Sequence, residues 1–438
     1  MRKELEKRAA EAVTIAKKAG AQEAWAGADR SREVSYEVRQ GVLENVKDAT
    51  SRSLGIRLYV DGRYSAHSTT DLRPEKLKGF IAEAIALTRA LEPDEHRVIP
   101  DPALFGGQPS ASALDLVDGA LSSVAREERI KRCEQMNERL VGKPKVISAT
   151  SGFSDSHSII AAASSNGFSG SYASTVAAMW SQVTLDDGEK RPEDWMGAWG
   201  HHLGELPKAA EIADQALQLA SARLGQKKGP TKRTTMVVDR RAAGRLVGRL
   251  LGPAHGSSVQ QERSFWKDKL GSKLVSDKLT VVDDPTLRRG LGSRPFDNEG
   301  IAAKKMAIIE KGVAKNLYVD TYYARKLGIA PTTGRSSNRV VELGSRSRDE
   351  IIAATAEGIY VTSWLGGNMD STTGDFSFGV AGQLIENGKI TAPVGEMNVT
   401  GNIVALWSEL AEIGNDPWIY SSTLAPTLVF DGVQFSGA

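Results

Sequence analysis

Six histidines and one cysteine are the imidazole and thiol side chains of this sequence that could bind a transition metal. No pair of histidines has the H-x-x-x-H or H-E-x-x-H spacing that places two imidazoles on one face of a helix. His201 and His202 are adjacent, so their side chains diverge, and we expect both at surface or turn positions. The histidines are His67, His96, His157, His201, His202 and His255. Their spacing predicts no metal site on a single helix.

Nucleophilic catalysis is not indicated either. Cys133 shares a helical stripe with Met136 and Leu140, so we interpret it as a small core residue. The sequence has no G-x-S-x-G nucleophile elbow and no Walker-type phosphate loop. Four carboxylates in "VVDDPTLRRGLGSRPFDNEG" could act as general acids or bases, but turn formation explains them better. These are Asp283, Asp284, Asp297 and Glu299.

Basic residues follow one side of a predicted helix at 240–251. Arg241, Arg245 and Arg249 recur at four-residue steps, opposite an apolar stripe. Such a stripe could contact phosphates, but a solvated helix face is the better interpretation, because no aromatic residues are interleaved with it.

Composition and charge restrict the class of protein. The chain has 438 residues, 40% of them hydrophobic, which suits a globular protein of two or three domains. Its formal net charge of +2 supplies no field for attracting nucleic acid or an anionic membrane. A single cysteine excludes an intrachain disulfide, and we find no signal-peptide h-region and no apolar membrane span. We expect a cytoplasmic protein.

The N-terminal half reads as a duplicated unit of helices and antiparallel strands. Asp61-Gly62 and Asp187-Gly188 are expected hairpin turns, each followed by a helix that begins near a proline, Pro74 or Pro207. One long helix is expected between the copies, at about 117–141.

The C-terminal half reads as mostly β. Hairpin turns are expected at Gly312, Gly388 and Gly432, and a Gly- and Lys-rich stretch marks a domain boundary near residue 225. The predicted fold class is therefore α+β, with an N-terminal α/β domain at 1–225 and a mostly-β domain at 226–438.

Three C-terminal segments resemble the TldD/PmbA family. They are "GLGSRPFDNEGIAAKKMAIIEKGVAKNLYVDTYYARKLGIAPTTG", "YVTSWLGGNMDSTTGDFSFGVAGQLIENGKITAPVGEMNVTGN" and "EIGND", and they cover most of residues 270–416. Their Gly, Asp and Asn turn positions follow the order and spacing of the family. The N-terminal half is similar to the family's paired α/β subdomains more loosely.

Zinc-binding members of the family carry H-E-x-x-x-H on a helix and a cysteine ligand near the C-terminus. The resemblance places the first His, the Glu and the second His of that motif at Gly252, Pro253 and Ser257. His255 lies two residues before the second ligand position, about 200° away around a helix, and Pro253 tends to end the helix. The cysteine position falls near Ser421 or Ser422. The chain is therefore similar to the PmbA branch, also called TldE, and we expect neither a metal site nor catalytic residues of its own.

The resemblance implies a role as the non-catalytic subunit of a heteromeric zinc metallopeptidase. A TldD-type partner would supply the zinc, and this chain would help to form the chamber in which unstructured or ribosomally made peptides are cut. We expect an extended peptide as a further partner, but neither nucleic acid nor a membrane, and a homodimer is also compatible with the sequence.

The segment "SWLGGNMDSTTGDFSFG" contains the candidate cleft-lining loops. Its glycines permit close approach of a peptide backbone, and β-rich structure permits strand addition. Tight β turns explain the same glycines equally well. The candidate residues are Gly366, Gly367, Asn368, Gly374 and Asp375.

Two other functions remain as alternatives. The first is a self-sufficient metal-dependent peptidase whose site is assembled from distant residues such as His201, His202 and Asp297. The second is a DNA gyrase-associated regulator, which the low net charge and the absence of a helix-turn-helix or zinc-finger pattern disfavour.

Overall fold

Two copies of one unit, helix followed by three strands and a second helix, form the first half of the chain. The computed structural model describes residues 1–437. The first unit comprises α1 (Arg2–Lys18), β1 (Glu23–Arg39), β2 (Val42–Val60), β3 (Arg63–Thr69) and α2 (Pro74–Arg89). A connecting segment contains 3-10 turns at Pro102–Phe105 and Leu121–Ser123 and the short helix α3 (Ala111–Leu114). The second unit comprises α4 (Arg126–Glu138), β4 (Val146–Ser164), β5 (Ser169–Leu185), β6 (Glu193–Gly200), a 3-10 turn at Leu203–Glu205 and α5 (Ala209–Ser221).

Local sequence explains most of these boundaries. Asp61 and Gly62 form the β2–β3 turn with φ values of 52° and 75°, the positive values that a two-residue hairpin requires, so that prediction is confirmed. The predicted helix at 117–141 is wrong, because only Arg126–Glu138 is α-helical. The Asp118 and Ser123 side chains bond the backbone of Ala120 locally, and such bonds compete with helix formation.

The two units share one antiparallel sheet of order β3-β2-β1-β4-β5-β6. The central pair β1–β4 joins them, with Trp25 opposite Ser164 at one end and Arg39 opposite Thr150 at the other. Buried residues alternate along these strands and pack against the helices in two clusters, one with α1 and α2 and the other with α4 and α5. The duplication predicted from the sequence thus appears as one continuous sheet.

The second half is dominated by strands, as predicted. Its helices are α6 (Arg240–Leu251), α7 (Gly256–Gln260), α8 (Thr321–Leu327), α9 (Arg348–Ala354) and α10 (Ile403–Ser408), with a 3-10 turn at Gly252–Ala254. Its strands are β7 (Lys227–Lys228), β8 (Lys232–Val238), β9 (Val281–Asp283), β10 (Met306–Glu310), β11 (Val313–Ala314), β12 (Arg339–Val341), β13 (Glu357–Met369), β14 (Asp375–Glu386), β15 (Lys389–Asn402), β16 (Leu410–Ile413), β17 (Thr423–Leu424) and β18 (Leu428–Ser436).

These strands form a five-stranded sheet, β11-β10-β9-β12-β17, and a seven-stranded sheet, β16-β18-β8-β13-β14-β15-β7. The expected hairpins at Gly312 and Gly388 are present, each with a non-glycine residue of positive φ before the glycine. The hairpin expected at Gly432 is wrong, because this residue lies within β18 at a register shift against β8. Some bulges place a glycine at positive φ, as a turn does, so a glycine such as Gly432, with φ of 60°, fits both structures.

α6 and the two sheets enclose the main core of the second half, in which Leu246, Val247 and Leu250 are fully buried. A smaller cluster of Ala162, Phe168 and Phe296 joins this half to the N-terminal sheet. Within residues 1–437 we find no helix with the length and apolar character that crossing a bilayer requires.

Candidate functional site

The segment that follows α6 is interrupted. α6 ends at Leu251, a 3-10 turn spans Gly252–Ala254, and α7 begins only at Gly256. Pro253 is buried within that turn, where its ring prevents continuation of the α-helix. No single continuous helix therefore presents the positions 252 and 257 toward one point.

His255 packs against a neighbouring ring in this segment. The half-buried imidazole stacks on Tyr318, with ring centroids 5.0 Å apart and an interplanar angle of 28°. Burial lowers the pKa of His255, and the positive charge of Arg339 lowers it further, against a smaller opposing effect of Asp283. These surroundings favour the neutral form of the ring.

Arg339 lies near His255, a proximity that the sequence did not reveal. Its backbone lies in β12, where its amide donates to the carbonyl of Ser422 at 2.8 Å. Its Nη1 atom lies 3.6 Å from the point where a Cβ on Gly248 would stand, and its Nε is buried without a partner among the described residues. A guanidinium in this position repels a divalent cation.

The residues around α6 and α7 therefore do not fit a zinc ion. A zinc site needs three or four imidazole, thiolate or carboxylate ligands, whereas Gly252, Pro253 and Ser257 supply none of these groups. Ser421 accepts a hydrogen bond from the Thr423 amide at 3.0 Å and so serves a local turn. No group of three or more potential ligands occurs anywhere in residues 1–437.

His201 lies in the bend that follows β6, as expected for a turn position, but it is not at the surface. Its side chain is buried, with only 3% of the residue exposed. Nδ1 lies 2.6 Å from the carbonyl oxygen of Thr175 and Nε2 lies 3.1 Å from that of Gly290. His202 is half-buried and its Nε2 lies 3.0 Å from the carbonyl oxygen of Asp115. Since these ring nitrogens face backbone carbonyls, the structure does not bring them together with Asp297 as a metal site.

Three aspartates of 283–299 accept hydrogen bonds within the fold, two of them locally. The Asp283 carboxylate accepts from the Tyr318 hydroxyl at 3.0 Å and from the Ser337 amide at 2.8 Å. Asp284 accepts from the Thr286 amide at 2.9 Å, and Asp297 accepts from the Glu299 amide at 2.8 Å. The turn interpretation is thus confirmed for Asp284 and Asp297, while Asp283 bonds across the fold.

The Glu299 carboxylate is largely shielded from solvent. Its Oε2 accepts from the amide and the hydroxyl of Thr321, both at 2.9 Å. Burial raises the pKa of Glu299, and the neighbouring charges of Asp297 and Asp320 raise it further.

The candidate cleft residues lie where β13 and β14 meet. Gly367 has φ of 106°, and a Cβ there would stand 2.0 Å from the Ser377 carbonyl oxygen. Gly374 is buried with φ of 87° beside Asn402. These two glycines therefore have a structural reason for their identity.

The other candidate residues show no comparable steric constraint. A Cβ on Gly366 would meet nothing within 4 Å, and Asn368 is exposed. Asp375 is exposed as well, and hydrogen bonds from Asn402 and Thr373 lower its pKa. Of the five residues, Gly366, Asn368 and Asp375 are thus free of the close packing that fixes the two structural glycines.

α6 lies beside this hairpin, which corrects the expectation of a solvated arginine stripe. The half-buried Arg245 donates to the carbonyl oxygens of Trp364 and Gly366, at 3.3 Å each. Arg249 lies 5.7 Å from the Phe378 ring centroid, and Arg241 donates to the Trp195 carbonyl oxygen at 3.1 Å. The three arginines thus contact residues outside α6, and helical periodicity alone cannot predict such contacts.

Comparison with known proteins places this geometry in a family. Three models describing PmbA/TldA metallopeptidases match the chain: domain 1 at 28–88, the central domain at 119–224 and the C-terminal domain at 231–437. The metalloprotease PmbA of Escherichia coli O157:H7 is 29% identical over 408 residues, which cover 92% of this chain and 90% of the relative.

Solved structures agree over nearly the whole chain. A candidate modulator of DNA gyrase from Bacteroides thetaiotaomicron is 40% identical, with a TM-score of 0.95 and coverage of 99% of this chain and 98% of the other. TldE from Thermococcus kodakarensis shares the fold, with a TM-score of 0.86 at 20% identity and coverage of 97% and 99% of the two chains.

Proposed function

The chain belongs to the PmbA/TldD metallopeptidase family, and within it to the PmbA/TldE branch, and from this membership we propose that it is the non-catalytic subunit of a cytoplasmic, heteromeric zinc peptidase. The observation that carries the proposal is the segment between α6 and α7. Its motif positions hold Gly252, Pro253 and Ser257, and its one imidazole is stacked on Tyr318 beside a guanidinium. A chain with this segment needs a partner to supply the metal.

The proposed contribution of this subunit is to complete the substrate chamber. The end of the β13–β14 hairpin, where Asn368 and Asp375 are exposed, supports contact with an extended peptide, because strand addition uses backbone groups and needs no metal. The proposed substrates are unstructured or ribosomally made peptides, and the proposed partner is a TldD-type chain that holds zinc through H-E-x-x-x-H.

The test measures metal content and activity with and without the partner. We expect the protein purified alone to contain no stoichiometric zinc by atomic emission and to cut no unstructured peptide. Co-expression with a TldD-type chain should give a stable complex by size-exclusion chromatography, with zinc in that partner and peptidase activity.

His255→Ala and His96→Ala form the matched pair of variants. Because His255 is expected to bind no metal, both variants should leave the zinc content of the complex unchanged. Stoichiometric zinc in the lone chain that is lost in His255→Ala, but kept in His96→Ala, would overturn the proposal.

A further inference from the structure

A cavity of about 480 Å³ lies at the junction of the two halves, where α5 and β6 meet α6 and β13. Its volume is in the range of small-molecule sites, roughly 300–1,000 Å³. Four guanidinium groups and two carboxylates line it, which leaves a formal excess of two positive charges. The charged residues are Arg223, Arg240, Arg241, Arg348, Asp194 and Asp239.

Both carboxylates are already engaged. Asp239 caps α6 by accepting from the Arg241 amide at 2.8 Å, and it also accepts from the Tyr360 hydroxyl. Burial and the charge of Asp239 raise the pKa of Tyr360, so this hydroxyl stays a donor. Asp194 accepts from the Trp195 amide at 2.8 Å and lies within 4 Å of the guanidinium groups of Arg223 and Arg241, at 3.8 Å and 3.9 Å. Asp194 and Asp239 are therefore not available to neutralise Arg240 and Arg348.

Those arginines retain unused binding capacity. Arg240 forms no ion pair with a carboxylate of residues 1–437, and its guanidinium lies 5.6 Å from the ring centroid of Trp418. Arg348 has one ion pair, with Asp349 at 2.7 Å, and 79% of that aspartate side chain is exposed, so water screens the pair. Its guanidinium also hydrogen-bonds the Tyr360 side chain, which leaves its other N–H donors for a ligand. Arg223 adds a buried Nε with no partner among the described residues.

The remaining lining is polar on one side and apolar on the other. Gln215, Gln218 and Gln383 offer amide groups, and Leu219 and Ile390 together with Trp418 form an apolar wall. Donors thus exceed acceptors around the cavity, which favours a ligand rich in acceptors that also carries apolar surface.

We propose that this cavity binds a small organic oxyanion, a carboxylate or a phosphate, held by Arg240 and Arg348 with its apolar portion against Trp418. Guanidinium groups pair with both oxyanions in bidentate geometry. The cavity lies at the N-terminal end of α6, and the interrupted segment lies at the other end, about 18 Å away at 1.5 Å per residue. The site needs neither a metal nor a partner chain, so it goes beyond the proposed function and stands or falls separately from it.

Calorimetric titration of the full chain at low ionic strength tests the proposal. The probes are inorganic phosphate and an N-acetylated Leu-Leu dipeptide with either a free or an amidated C-terminus. We expect saturable binding of at least one oxyanion and none of the amide. Arg240→Gln and Arg348→Gln should each weaken binding about tenfold or more, as loss of a charged hydrogen bond does.

Arg249→Gln is the matched control, because Arg249 lies on the same helix but outside the cavity. It should bind the probes as the unmodified chain does, and thermal melting should show all three variants folded. Binding of phosphate alone or of the free dipeptide alone identifies the source of the oxyanion. The proposal is wrong if neither oxyanion binds, if the amide binds equally well, or if the control weakens binding as much as Arg240→Gln.

Discussion

Glu299 shows at the scale of one residue how burial sets the chemistry of a carboxylate. Burial raises its pKa above the ordinary value of 4.5, and Thr321 donates two hydrogen bonds to it. Because the folded state holds the proton more tightly than the unfolded chain, the favourable contribution of this group is complete below the ordinary pKa. That contribution is lost as the pH rises through the raised value.

The loss of stability with rising pH leads to a prediction for Glu299→Gln. Glutamine keeps an acceptor for Thr321 but cannot ionise, so the variant should be more stable than the unmodified chain at pH 7 to 8. The difference should shrink toward zero as the pH falls below the ordinary pKa of 4.5, where the glutamate becomes protonated in both states. Urea denaturation across this pH range measures it, and Glu409→Gln, at an exposed glutamate, should show no such trend. A loss of stability at pH 7 in Glu299→Gln would contradict the prediction.

The histidines show which properties of single residues can be predicted from the sequence. The isolation of His255 follows from spacing alone, since no second imidazole lies within one helical turn. The burial of His201 does not, because Gly290 O, one of the carbonyls its ring faces, is 89 residues away in sequence. The charge of Arg339 beside His255 depends likewise on the approach of β12 to α6, which no local pattern encodes.

At the scale of the element, two adjacent glycines at the end of the β13–β14 hairpin differ in whether a side chain would fit. Gly366 and Gly367 both have positive φ, and an alanine costs roughly 1–2 kcal/mol in left-handed conformations. Only at Gly367 would a Cβ also collide with a backbone atom, the Ser377 carbonyl oxygen at 2.0 Å. Such overpacking costs about 1–3 kcal/mol more.

We therefore predict that Gly367→Ala lowers the free energy of unfolding by about 1–3 kcal/mol more than Gly366→Ala does. Chemical denaturation of the two variants measures the difference. Equal losses would mean that the hairpin accommodates the methyl group, and Gly367 would then return to the set of cleft-lining candidates.

Turns whose geometry depends only on residues adjacent in sequence were predictable. The turns at Asp61-Gly62 and at Gly312 and Gly388 need positive φ, and the sequence supplies glycine at each. The bulge at Gly432 carries the same signal without a turn, because pairing of β18 with β8 continues on both sides of it. Only the partner strand distinguishes the two cases.

At the scale of the whole molecule, a small aromatic cluster couples the halves. Phe296, from the C-terminal half, is 3% exposed and makes edge contacts with Phe168 and Tyr172, at 5.0 Å and 5.3 Å between centroids. Loss of a buried phenylalanine side chain costs about 3–5 kcal/mol. Since this ring belongs to one half and packs on the other, its loss should weaken their coupling as well.

We predict that Phe296→Ala loses about 3–5 kcal/mol of stability and splits the calorimetric unfolding transition into two. Trp195→Ala is the control, because half of that residue is exposed on the sheet surface, and it should leave one transition. A single, uniformly shifted transition in Phe296→Ala would show that other contacts suffice to couple the halves.

The α+β class and the duplication were accessible from the sequence because each unit repeats the same local patterns. The union of both units in one sheet was not, since β1 and β4 pair across separations such as Ser31 to Ser158, 127 residues apart. Pairing at that distance depends on which edge each unit leaves open, and periodicity contains no such information.

The central β1–β4 pair can form only after β4 has been synthesised, long after β1. When β3 leaves the ribosome at Thr69, β1 has paired with β2 on one side only, and β4 is complete only at Ser164. At roughly 5–20 residues per second, the nascent chain carries the open edge of β1 for about 5–20 s. A 17-residue strand with unpaired amides and carbonyls is a template for wrong partners during that interval. The same pairing that joins the two units in the finished sheet thus leaves one edge of β1 open during synthesis.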